Sequence, residues 1–149
     1  MIGTENEFFS EDDMLKLVRN EIACIRIMLR VKKVTEKYNV ILIQLSRLRE
    51  VANTLGDIGV DIQRDAEKAE RQCRDCIYRF DAVNESLKER DYRYINHQLL
   101  FATKQAKVFE EAAQRIHKDA QKLALNINQR RGGNEHDIRR VSQEGKKGS

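Results

Sequence analysis

Three stretches of the chain, Ile27 to Leu55, Ile62 to Leu87 and Ile95 to Ile127, keep apolar or small residues at alternating spacings of three and four. That spacing puts one side-chain stripe on each of three long α-helices, and such a stripe is stable only when packed against another helix. The first seam is Ile27, Val31, Val34, Tyr38, Ile41, Leu45, Leu48, Ala52 and Leu55. The second is Ile62, Ala66, Ala69, Cys73, Cys76, Phe80, Val83 and Leu87. The third runs Ile95, Leu99, Ala102, Ala106, Phe109, Ala113, Ile116, Ala120, Leu123 and Ile127. The first seam is bulky, while the other two are lean and alanine-lined, and the small residues of the second let a neighbouring backbone approach closely.

Composition points the same way. Pro and Trp are absent, aromatics make up 6% of the 149 residues and charged residues 35%, whereas sheets draw on Pro- and Gly-rich turns and on aromatic and β-branched strands. Ser10 ahead of Glu11, Asp12 and Asp13 predicts a capped helix start, with Phe9 and Met14 spaced as a hydrophobic staple. Gly56 and Gly59 predict a stop and a reversal. The expected organisation is a frayed 1–9, a bundle domain over 10–128 with helices at about 11–54, 60–88 and 92–128, and a disordered basic tail over 129–149.

Between the second and third helices no Gly or Pro intervenes. Carrying the second register forward, however, would place Arg90, Tyr94 and His97 in the seam, and the offset to Ile95 and Leu99 matches neither usual insertion. A tight turn at Glu89 to Arg90 with Asp91 capping the next helix is therefore expected. The alternative is a helical hairpin in which these two helices are continuous. The fold expected is all-α, an elongated antiparallel bundle of three long heptad-patterned helices organised around the bulky first one.

Few residues have the spacing of a reactive site. Cys73-Arg74-Asp75-Cys76 is a CxxC, but both cysteines sit on the seam in mid-helix, where cysteine packs as a small apolar residue. A structural zinc needs four ligands and no second pair accompanies this one, so a metal shared between two chains is the weaker alternative. His97, His117 and His136 are isolated, and phosphate loops, nucleophile elbows and HExxH are missing. The expectation is a protein that is not an enzyme and takes no cofactor.

Surface features are more informative. Val18, Ile22, Ile25 and Leu29 form a second apolar stripe on the first helix. Either that helix touches both others on two faces, or its N-terminal half docks another helix. Tyr92, Arg93 and Tyr94 are residue types that anchor interfaces or stack on bases. Arg139-Arg140-Val141-Ser142 matches a basophilic kinase pattern that makes Ser142 a phosphorylation candidate. The last twenty residues carry six bases against three acids, which is +3 of the chain's net +4.

These features favour a non-enzymatic scaffold, adaptor or subunit that assembles through coiled-coil packing as a homo- or hetero-oligomer. Nucleic-acid binding through the tail and the Tyr92–Tyr94 junction is the alternative, and a peripheral membrane-surface role is a second one. An acidic N-terminus without signal-peptide order, the lack of a long apolar span and three cysteines without framework spacing predict a cytoplasmic protein, the nucleus being a further option.

Overall fold

The computed structural model describes the backbone of residues 10–147 and the side chains of residues 10–131. Its described part is all-α: α1 (Glu11–Thr54), α2 (Val60–Lys88) and α3 (Ile95–Lys147). Ser10 caps α1, its Oγ accepting from the Asp13 N–H at 3.1 Å, and Glu11, Asp12 and Asp13 occupy the first turn. Phe9, the other half of the expected staple, lies outside the described residues.

A short 3-10 turn, Gly56–Gly59, reverses the chain into α2. Gly56 adopts φ +64°, the left-handed cap geometry that costs glycine nothing. At Gly59 a Cβ would run into the Ala52 carbonyl, so only glycine lets the turn lie against the last turn of α1.

α2 and α3 are separate helices, which removes the continuous hairpin. α2 ends in a Schellman motif: the Asp91 N–H donates to the Ser86 carbonyl at 2.9 Å and the Arg90 N–H to the Leu87 carbonyl at 3.2 Å. Arg90 takes the left-handed position, φ 56°, with its guanidinium 2.6 Å from Glu21 of α1. α3 starts at Ile95 rather than at 92: the Asp91 carboxylate accepts from the Arg93 N–H at 3.4 Å and from its guanidinium, and the chain turns through 93–94 before the helix begins.

The central helix is α2, and this corrects the expectation of a bundle organised around the first helix. Its backbone lies close to both α1 and α3, whereas the backbones of α1 and α3 approach each other far less and meet through side chains. Ala66, Ala69, Cys73 and Cys76 are at most 1% exposed, and their small side chains let both neighbours approach. The bulky α1 seam instead holds α3 off. All three helices share one buried cluster, and an aromatic node sits within it, where Tyr38 packs edge-on to Phe80 at 6.3 Å and to Phe109 at 5.1 Å. The Tyr38 hydroxyl donates to Glu110 Oε1 at 2.8 Å, tying α1 to α3.

The helix ends are unequal in length. Arg79 donates to Gln105 at 2.7 Å, and carrying that antiparallel pairing down to Val60 reaches Leu123 to Leu125 of α3. α3 runs beyond that pairing, with bounds Ile95–Lys147, and its side chains are described as far as Arg131. At the other end, the α2–α3 turn bonds α1 at Glu21 and Cys24 and lines a pocket with it as far as Asn20. Residues Glu11 to Arg19 therefore project beyond it, and none of them is buried.

One charge is buried between α1 and α2. Glu70 is 3% exposed, accepts from Arg49 Nε at 2.7 Å and has Arg74 at 3.7 Å. Removing one partner of a buried pair strands the other charge. Arg49→Met is expected to lower the urea-unfolding midpoint, with Arg74 left as the only partner near Glu70, and Arg49→Met with Glu70→Met to recover most of that loss.

Candidate functional site

Each turn of α1 faces two ways. The core side carries Cys24, Val31, Tyr38, Leu45 and Ala52, all buried. Half a turn away, on the opposite side, Val18, Ile22, Ile25 and Leu29 stay exposed, together with Leu15, one step further along the same alternation of threes and fours. These five aliphatic side chains are between 48% and 62% exposed. The stripe is two heptads long, about 21 Å at about 1.5 Å per residue. Since α3 does not reach this face, contact of α1 with both other helices leaves the stripe uncovered.

Beside the stripe runs a second pattern that segment-by-segment charge counting misses. Arg19, Arg26 and Lys33 recur every seven residues along one edge of it, and Lys16, Arg30 and Lys37 lie further round on the same side. All six are exposed. The other edge holds Met14, Glu21 and Met28. Residues 14–37 contain seven bases and two acids, a net +5 against +4 for the whole chain. The heptad register is the signal that finds this row.

The Tyr92 junction is structural in its contacts. Cys24 Sγ donates to the Tyr92 hydroxyl at 3.6 Å, which lays the ring over α1. Arg93 spans the Asp91 carboxylate through Nε at 3.0 Å and Nη2 at 3.3 Å, and that pairing holds the Asp91 carboxyl below its ordinary value. Tyr94 is 63% exposed. The structure thus seats Tyr92 against the core side of α1, away from the exposed stripe, while Arg93 and Tyr94 stay on the turn. Ser142 lies outside the described side chains.

Between α1 and α3 a groove of about 420 Å³ opens over the aromatic node. Ile27, Val34 and Leu99 form its walls, with Arg30, Lys107 and Glu110 at its rim. Among the described residues no cluster of three His, Cys, Asp or Glu side chains is placed to hold a metal, and no helix is long and apolar enough to cross a membrane.

Cys73 and Cys76 face the core, with Cys73 Sγ donating to the Tyr38 carbonyl at 3.3 Å. Burial pushes the Cys73 thiol up to about 12 and the Cys76 thiol up to about 11. Both stay neutral at physiological pH, where a reactive or metal-binding cysteine would be a thiolate. Compared with known protein families, with curated proteins and with solved structures, the chain matches none.

The raised thiols fix the sign of an alkaline effect. The unfolded chain loses its cysteine protons near the ordinary value of 9.0, before the folded chain does. The stabilisation is complete below that pH and is lost as pH rises toward 11 to 12. Tm followed by circular dichroism is expected to be flat from about pH 7 to about 8.5 and to fall above that. A Cys73→Ala, Cys76→Ala variant is expected to show a shallower fall over the same range.

Proposed function

We propose that this chain is a non-enzymatic helical interaction protein, a scaffold, adaptor or subunit that recruits a partner helix to the outer face of α1. The stripe Leu15, Val18, Ile22, Ile25 and Leu29 carries the proposal, being apolar, heptad-spaced and open to solvent on the side away from the core. Contiguous exposed apolar surface of this kind on a folded chain marks interaction sites. The projecting turns Glu11 to Arg19 support it, since a partner can reach Leu15, Leu17 and Val18 without displacing α2 or α3. Three free cysteines fit work in a reducing compartment such as the cytoplasm.

An Ile22→Asp, Ile25→Asp variant tests the proposal. Both side chains point away from the core, so the variant is expected to keep its helical signal and to shift Tm by less than about 5 °C. Pull-downs with the two proteins as bait are expected to show specific partners on the wild type only. A variant that keeps every partner, or that unfolds as a monomer, contradicts the assignment.

A further inference from the structure

We propose that the partner received on α1 is an amphipathic helix of another protein that carries acidic side chains along the flank facing Arg19, Arg26 and Lys33. The proposal rests on the outer face of α1 being a docking site and adds the chemistry of its occupant.

Charge complementarity carries it. On the basic side of the stripe there is no acid from Met14 to Lys37. Of the two acids in that span, Glu21 is held by Arg90 at 2.6 Å and Glu36 lies on the continuation of the stripe itself. Among the described residues, Arg19, Arg26, Arg30 and Lys33 have no carboxylate within 4.0 Å, and Lys37 has only the loose, exposed contact with Glu110 at 3.7 Å. Flanking charges of one sign select a partner of the other sign in helix pairing. The opposite edge, with Met14 and Met28, offers flexible thioethers that adapt to apolar partner side chains.

A second copy of the chain fits poorly. Antiparallel pairing through this stripe would set the row Arg19, Arg26 and Lys33 against itself. Parallel pairing would stack the next two layers, Lys32 on Lys32 and Glu36 on Glu36. An anionic bilayer fits less well than a helix. Interfacial helices anchor with aromatic residues and bear bases on both borders of the apolar face. Here no aromatic occurs between Met14 and Lys37, and the narrow stripe has a continuous basic row on one border only.

The test titrates the full chain by calorimetry with a peptide about three heptads long, leucine in its seam and glutamate along both flanks, beside its lysine-flanked counterpart. Mutual repulsion keeps each peptide from pairing with itself. The glutamate peptide is expected to bind at least about tenfold tighter than the lysine peptide, and more weakly as salt rises. An Arg19→Glu, Arg26→Glu, Lys33→Glu variant is expected to reverse that preference. Equal binding of both peptides, or a preference unchanged in the variant, overturns the charge assignment and leaves α1 as the docking face. Binding unchanged by Ile22→Asp with Ile25→Asp overturns the docking face itself. No binding of either peptide overturns the proposal, and sedimentation of the chain with phosphatidylserine vesicles in that case assigns the face to a bilayer. A dimer in light scattering that the aspartate variant dissolves assigns it instead to a second copy.

Discussion

Ala66, Ala69, Cys73 and Cys76 leave the buried seam of α2 so slim that the backbones of α1 and α3 both close on the same short helix. Most of the architecture follows from that constraint. With α2 shared, α1 and α3 are joined chiefly across Tyr38, Phe80 and Phe109 and through the Tyr38 hydroxyl on Glu110, and the groove above them stays open. Fuller side chains on α2 would hold both neighbours further away and uncover the node.

The same constraint decides the fate of α1. A helix with apolar stripes on opposite sides has two to bury, and a bundle centred on α2 covers one of them. Covering the outer stripe would require a further helix, which the described chain does not supply. The charge pattern agrees, since residues 14–37 concentrate +5 beside the uncovered stripe while the remainder of the chain is slightly acidic overall. Positive charge segregated along one edge of an apolar stripe is costly to keep free of counter-charge, and it is useful when a partner brings acids to it.

Much of this was legible in residue spacing. Ser10 with three following acids marked the start of α1, the Gly56 to Gly59 segment marked the first reversal, and the mismatch of register around Arg90 marked the second. The left-handed residue in that second turn was not legible, because glycine ordinarily fills such a position and Arg90 gives no sign of it. Bulk on two sides of α1 suggested a central helix. It was small residues on α2 that decided centrality, since close approach depends on the side chains a helix lacks. Glu70 was equally hidden: it neighbours the seam residue Ala69, and only the three-dimensional placement of Arg49 makes its burial intelligible. Val18, Ile22, Ile25 and Leu29 were readable as a stripe, while the basic row beside them emerges only when charges are laid out in heptad register.

The exposure of that stripe in the free chain is the claim on which the functional account stands. Paramagnetic solvent relaxation of methyl groups measures it directly in a sample that light scattering shows to be monomeric, at 17.4 kDa. The methyls of Val18, Ile22, Ile25 and Leu29 are expected to relax as strongly as those of Val40 and Ile43, with Val31, Val83 and Ile95 protected. Protection of Ile22 and Ile25 to the level of Val83 would contradict the account, since it would mean the bundle already buries the face assigned to a partner.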